Sequence, residues 1–348
     1  MMNISSVIRK DLYEILSRVN DWKFFLGKSV LVTGANGLLA SYLVDFFSYI
    51  NSLVDNDKKI KIYALARNGD KLKSRFPSVL GEEWFIPILQ DVSSRIDIVE
   101  SLDIIIHAAS PANQSEYLNH PVPAIRSSLL GMLNILDLAL EKNSKILYFS
   151  SGAVYGRGGQ DKPIAESDFG YQDTLDVFAS YVESKRACET LCGSYYRQFG
   201  VDVVIARISH TYGPTANLDD GRSFNSFIRA ARQGDDIVLT SDGGSSRPFC
   251  YISDATVAFL LLLIAGRPGE AYNVGSDRES TILEIAQLIA GLSPHDDVQV
   301  QITSQPSSSE IRAHGCFDLG KIKFLGWQPL IQPSDGFKRV FEFLEELK

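Results

Sequence analysis

Cysteine is scarce in this chain, with four residues in 348: Cys188, Cys192, Cys250 and Cys316. That is too few for a disulfide scaffold, and buried free thiols in a reducing compartment are the expectation. Cys188 and Cys192 stand four apart on an expected helix, but no pair of histidines lies near them, so no metal site is expected. Basic runs are lacking too. Lys plus Arg number 34 against 42 Asp plus Glu, a net charge of −8. A nucleic-acid backbone is therefore not an expected partner. Any anionic ligand must be held by local arginines and backbone N–H groups. Long hydrophobic runs are also missing. The longest, 255–265, is broken by Thr256 and falls short of the ~18 apolar residues of a membrane span. The N-terminus, MMNISSVIRKDLYEIL, has no apolar core followed by a small-residue cleavage site. A cytoplasmic protein without a membrane partner is the expectation.

What is present suits a large packed core: 45% of residues are hydrophobic and 22% charged. At roughly 150 residues per domain the length suits two domains, or one fold with an appended lobe. Residues 1–27 read as a helical extension, with Val7, Ile8, Leu12, Ile15, Leu16 and Val19 at helical spacing, then Trp22, Phe24 and Phe25. That segment is expected to be packing or dimer surface. Continuous β-branched runs at 28–33, 59–66, 84–89, 104–108, 145–150 and 203–208 read as strands. Helical patterns at 38–50, 123–142 and 181–199 lie between them. This alternation predicts an α/β fold, a doubly wound parallel sheet covered on both faces. After residue 209, loops rich in Gly, Asp and Ser (213–223, 241–246) separate shorter elements. They read as a smaller lobe over the carboxyl ends of the strands, where such sheets bind ligands. Residues 28–208, with part of 248–275, are assigned to the dinucleotide-binding domain, and 209–247 with 276–348 to the substrate lobe. The segment 304–309 reads as a loop.

Thr33-Gly34-Ala35-Asn36-Gly37-Leu38-Leu39-Ala40 follows the first strand and opens a helix. There Gly34 permits a tight turn, and Gly37 lets the backbone approach a pyrophosphate at the helix N-terminus. Ala40 fills a third small position for helix–sheet packing. Asn36, Leu38 and Leu39 complete this expected cofactor turn. At the end of the second strand, where an acid usually accepts from ribose hydroxyls, stands Arg67. It can stack on adenine, pair with a 2′-phosphate or lie solvated on the surface, so NAD and NADP are both open. After the third strand, Asp91 and Val92 can contact adenine, or Asp91 can cap a helix.

Tyr181 and Lys185 stand at i and i+4, on one face of a helix. A phenol of ordinary pKa, about 10, is a poor base at neutral pH. A lysine one turn away, with a positive nicotinamide ring nearby, stabilises the phenolate. Ser151, ending the preceding strand beside Ser150, can bond the same substrate hydroxyl. These three are the expected catalytic set, removing a hydroxyl proton while hydride leaves carbon.

The 33–40 turn, His107-Ala108-Ala109-Ser110, Ser150-Ser151-Gly152-Ala153-Val154-Tyr155-Gly156, Tyr181 to Lys185, Arg207 to Pro214 and Leu325-Gly326-Trp327-Gln328-Pro329 occur in that order. Together they resemble the extended short-chain dehydrogenase/reductases, over nearly the whole chain from Lys28. The likeness is greatest to the nucleotide-sugar epimerase/dehydratase branch. His107 to Ala112 and Asp220-Gly221-Arg222 are similar to UDP-glucuronate decarboxylases in particular. The resemblance implies a Rossmann-type fold, tightly held NAD, a nucleoside-diphosphate sugar substrate and a homodimer. It implies cofactor contacts from Ala108, Ala109, Ser110 and Ser150, besides Tyr181 and Lys185. It also implies substrate contacts from Ser110, Ser151, Gly152, Ala153 and His210, with Arg222 and Arg247 on the diphosphate.

Members of this branch oxidise a sugar hydroxyl, usually at C4, and then epimerise, dehydrate or decarboxylate the ketone. Dehydratases carry Asp-Glu, and decarboxylases Glu, just before Val-Tyr-Gly. This chain has Gly152-Ala153 there, and neither transfers a proton. A 4-epimerase needs no such group, so an epimerase is the leading expectation. The alternatives are a decarboxylase or dehydratase whose acid is relocated to Glu116, Glu166 or Glu183, and an NADP-dependent 4-keto-sugar reductase. A non-catalytic dinucleotide sensor fits less well with an intact Ser151/Tyr181/Lys185 set. Ser128 and His210 replace asparagines common in the family. His210 can bond a sugar hydroxyl or be structural, and His107 reads as structural. Asp254 is expected to cap a helix or touch ligand.

Overall fold

The structure is a computed structural model that describes residues 4–110, 114–156, 162–303 and 315–347. The expected 304–309 loop and the Pro111-Ala112 pair lie outside these residues. In chain order the first part runs α1 (Ser6–Arg18), β1 (Ser29–Thr33), α2 (Leu38–Asn51), β2 (Lys61–Ala66), α3 (Gly69–Arg75), β3 (Phe85–Leu89), β4 (Ile104–His107), α4 (Gln114–Asn119), α5 (Pro121–Lys142), β5 (Lys145–Ser151), α6 (Ala179–Phe199) and β6 (Val203–Ile208). The rest runs β7 (His210–Tyr212), α7 (Ser223–Gln233), β8 (Ile237–Leu239), β9 (Ser246–Arg247), β10 (Phe249–Tyr251), α8 (Ile252–Ala265), β11 (Ala271–Val274), β12 (Ser280–Thr281), α9 (Ile282–Gly291), β13 (Val300–Ile302), α10 (Gly320–Lys323) and α11 (Pro333–Glu346).

Seven strands form one sheet in the order β11-β6-β5-β4-β1-β2-β3, and every pair in it is parallel. β1, β4 and β6 are buried at every residue, which is why their sequences run apolar without alternation. Along β1, Val30 and Val32 enter one hydrophobic cluster while Leu31 enters another. Helices therefore cover both faces. Outside the sheet, β7 pairs β10, β8 pairs β13 and β9 pairs β12, building small structure beyond the carboxyl ends of β5 and β6.

The N-terminal helix packs within its own chain. Ser5 caps α1 by accepting from the Val7 and Ile8 N–H groups. Val7, Ile8, Leu12 and Ile15 are buried, and α1 lies against α2, α8 and α11. α5 begins two residues before its expected start, with prolines in its first turn, where a missing N–H costs nothing. By length and composition α5 is apolar enough to cross a bilayer. Counting unbroken apolar runs misses this, because Arg126 and serines interrupt the segment. Its buried side, which includes Met132, Ile135, Leu136 and Ala139, joins the cluster shared with β4, β5 and α6.

Candidate active site

The β1–α2 turn holds its shape through contacts only glycine tolerates. Gly34 has φ of +66°, and a Cβ there would come within 3.0 Å of the Ala109 backbone. Gly37 is the N-cap of α2, and no side chain caps that end. Thr33 ties the turn to β4: its Oγ1 accepts from the Ala108 and Ala109 N–H groups at 3.2 and 3.1 Å. The same oxygen lies 2.9 Å from His107 Nδ1, so its own proton is donated there. Burial, helped by Lys185, pushes the His107 pKa down to about 3, so the ring is neutral and can accept. His107 is a structural staple, as its sequence context suggested.

This turn opens into a cavity of about 660 Å³. Every residue singled out for cofactor or substrate lines it. At one end are Gly34, Asn36, Gly37, Leu38, Leu39, Arg67, Asp91 and Val92. Ala108, Ala109 and Ser110 form the middle with Ser150, Ser151, Tyr181 and Lys185. Gly152, Ala153, His210, Arg222 and Arg247 form the far end. The sequence reading missed Tyr117, Ser127, Phe178 and Phe317, which line it as well. No motif announces them. Phe317 arrives from a distant segment that bridges to Ile164.

No helix follows β3, so Asp91 caps none. It closes a turn instead, accepting from the Ser93 N–H at 2.8 Å and hydroxyl at 2.6 Å. Burial opposes its ionisation, but the Ser93 bonds and Arg67 outweigh that and hold its pKa below the usual range. Arg67 is largely exposed and 3.8 Å from this carboxylate. The ion pair balances Arg67's charge and leaves an acceptor facing the cavity, which suits ribose hydroxyls better than a second phosphate.

Tyr181 and Lys185 both face the cavity from α6, with the Lys185 ammonium over the Tyr181 ring. Burial pushes the Tyr181 pKa up; a hydrogen bond with Ser151 and the charge of Arg222 pull it down. Lys185 Nζ donates to the Phe149 carbonyl at 2.9 Å and lies 6.0 Å from the Tyr181 ring centre. The i, i+4 spacing puts both side chains on one face, yet the longer lysine reaches down to β5. Arg222, on the loop before α7, lines the same cavity. Burial also pushes the Lys185 pKa down, against Tyr117, Cys188 and Glu189.

Carboxylates are scarce here. Among the described residues, Asp91 is the only acid lining the cavity, and it stands at the cofactor end. The three glutamates suggested as relocated acids lie elsewhere. Glu116 is exposed, Glu166 accepts from the Asn273 N–H at 2.8 Å, and Glu183 pairs with Arg186 at 3.1 Å. Gly152 leaves room for an aromatic instead: a Cβ there would come within 2.5 Å of Phe317 Cζ. At the far end Arg222 donates to the Thr211 carbonyl at 3.1 Å and pairs with Asp220 at 3.2 Å. Arg247 donates to Ser245 Oγ and the Ser246 carbonyl, both at 2.7 Å. His210 is exposed, its ring 6.1 Å from that of Phe249. Asp254 neither caps nor lines the cavity. It sits inside α8, accepting from Arg18 at 2.6 Å and from the Leu330 and Ile331 N–H groups.

A model of the NAD dependent epimerase/dehydratase family matches residues 30–275. The chain belongs to that family. Relatives include UDP-glucuronic acid decarboxylase 6 of Arabidopsis thaliana, 34% identical over 94% of this chain and 92% of that protein. UDP-glucuronic acid decarboxylase 1 of Danio rerio is 31% identical over 91% of this chain and 72% of that protein. The fold is also that of the UDP-glucose 4-epimerase of Thermotoga maritima (TM-score 0.78, 20% identity, 92% and 99% of the two chains). A UDP-glucuronic acid 4-epimerase of Bacillus cereus, solved with UDP-glucuronic acid and NAD, superposes with a TM-score of 0.77 at 20% identity, over 92% and 100% of the two chains. As a member of the epimerase/dehydratase family the protein is an NAD-dependent enzyme of nucleotide-sugar chemistry. Its residues fit that cofactor. The Gly34–Gly37 turn leaves a cradle that a Cβ would crowd, and α2 presents an uncapped N-terminus to it.

Proposed function

We propose that this protein is an NAD-dependent epimerase of a nucleoside-diphosphate sugar, acting through a transient 4-keto sugar. One observation carries the reading: the cavity wall around Tyr181 holds hydroxyls and cations but, among the described residues, no carboxylate. Elimination of water needs a paired acid and base on the sugar; inversion at C4 does not. Tyr181 takes the proton of the C4 hydroxyl, and Ser151 bonds that hydroxyl and aims it. Bound NAD supplies the two-electron redox chemistry. Arg222 favours the phenolate electrostatically, and Lys185 holds the helix against β5 through Phe149. Arg247, at the far end, suits the diphosphate. The ketone then turns its other face, and Tyr181 returns the proton to the opposite alcohol. Atoms and electrons balance without a further reagent.

A second reading has a specific observation behind it. Arg222 lines the same cavity as Tyr181 and suits the carboxylate of a uronic acid, and the relatives at 31 to 34% identity are UDP-glucuronic acid decarboxylases. A C4 ketone makes that carboxylate a β-keto acid. It loses carbon dioxide as the C–C electrons pass into the ketone, and C5 then needs a proton donor. Purified protein with NAD and a panel of UDP-, GDP-, CDP- and dTDP-sugars, followed by mass spectrometry and NMR, separates the two. A product of unchanged mass and inverted C4 supports the epimerase; loss of carbon dioxide from UDP-glucuronic acid replaces it with the decarboxylase. Tyr181→Phe is expected to lower turnover roughly 100- to 10,000-fold while NAD affinity persists. Unchanged turnover would remove Tyr181 from the base role.

A further inference from the structure

Tyr117 has no part in the function above. It sits in α4, is buried, and lines the cavity beside Tyr181. The two rings meet edge to face, centroids 4.9 Å apart and planes at 68°. The Tyr117 hydroxyl oxygen is 3.2 Å from Ser110 Oγ and 3.2 Å from Ser128 Oγ. Counting protons orders this chain. Ser128 donates its single hydroxyl proton to the Ala124 carbonyl, 2.9 Å away, so towards Tyr117 it accepts. Tyr117 therefore donates to Ser128, and its oxygen accepts from Ser110. The ring is thereby moored to the backbone of α5 through Ser128.

We propose that Tyr117 is a positioning residue for Tyr181: moored to α5 by its hydroxyl, it holds the Tyr181 phenol in the orientation that meets Ser151. The proposal rests on the reading of Tyr181 as the proton acceptor. A phenol held by one hydrogen bond swings about two side-chain torsions. A fixed aromatic edge against its face removes most of that arc. Among the described residues, Tyr117 is the only aromatic ring in contact with Tyr181.

The test uses the full chain with NAD and, separately, UDP-glucose and UDP-glucuronic acid. Tyr117→Leu removes ring and mooring. It is expected to lower kcat about tenfold, the upper end of what one aromatic pair supplies, with KM nearly unchanged. It also moves the alkaline rise of the kcat–pH profile to higher pH, because a phenol that loses its Ser151 bond is harder to ionise. Tyr117→Phe and Ser128→Ala keep the ring but cut the mooring, and are expected to shift the profile the same way with a smaller loss, about threefold. Unmoved kcat and profile in all three variants would overturn the proposal. So would a rise confined to KM, which would make Tyr117 a sugar contact. If Tyr117→Leu fails to fold, the two conservative variants decide alone. Tyr181→Phe is measured beside them. Turnover that survives there withdraws the base itself; an inactive Tyr181→Phe with unmoved Tyr117 variants sinks only the positioning role.

Discussion

At the scale of single residues, His107 shows how burial decides a role that residue type leaves open. A histidine at the end of a strand beside a cofactor turn is a reasonable acid or base on paper. Here it is fully buried between Thr33 and Tyr148, with the Tyr148 ring stacked 5.8 Å away. Its pKa is held to about 3 against 6.5 in the unfolded chain. Between those values the unfolded chain binds the extra proton, so stability rises with pH there and is lost as pH falls below about 6.5. Relative to His107→Gln, the native protein is expected to lose about 2 kcal/mol between roughly pH 7.5 and pH 5, read by urea unfolding at each pH. Parallel curves for the two proteins would mean that the imidazole is already charged in the fold. The Tyr181/Lys185 spacing was legible in the sequence, because helical periodicity forces both onto one face. That Lys185 also reaches the Phe149 carbonyl of β5 was not legible, since it depends on how far the side chain extends across the fold.

At the scale of elements, α6 carries a buried anchor, Glu189, one turn beyond Lys185. Glu189 accepts from Ser150 Oγ at 2.5 Å and takes a bidentate contact from Arg207 of β6, the shortest at 2.7 Å. Arg207 continues to the Tyr155 hydroxyl and the Glu166 carbonyl. Tyr155 in turn donates to Asn273 of β11. This buried run clamps α6 to three strands of the sheet, with the Ser150–Ser151 strand end inside the clamp. Glu189→Gln leaves the Arg207 charge buried beside a neutral amide, at a cost of about 3 kcal/mol, seen as a lower Tm. A change under about 1 kcal/mol would show that Arg207 finds solvent or another partner. The strand and helix positions themselves were readable within two or three residues, because β-branched runs and period-3.6 patterns reflect local geometry. Neither the cap alternative for Asp91 nor either reading of Asp254 holds, because capping depends on a neighbouring helix start that sequence does not locate.

At the scale of the whole molecule, α1 and α11, far apart in sequence, meet in one buried cluster. Asp11 of α1 accepts from Arg339 of α11 at 2.5 Å, from Tyr42 of α2 at 3.0 Å and from Tyr251 at 2.8 Å. Arg339 also holds Glu14 at 2.7 Å. Asp11→Ala strips the acceptor from two buried phenols and half the partners from Arg339. It is expected to cost about 3 kcal/mol or more, measured by denaturant unfolding. A loss confined to α1 fraying, with the main transition unmoved, would show that the cluster is not part of the cooperative core. The residues expected to contact cofactor lie in short local motifs, and for those the sequence alone determined a place on the cavity wall, since a glycine turn between strand and helix has few alternative geometries. The cavity's far wall, the neighbour that holds Tyr181 and the joining of α1 to α11 were decided only in three dimensions. They depend on side chains far apart in the chain, whose encounter is set by how helices and loops pack over the sheet and by no periodicity within any one segment.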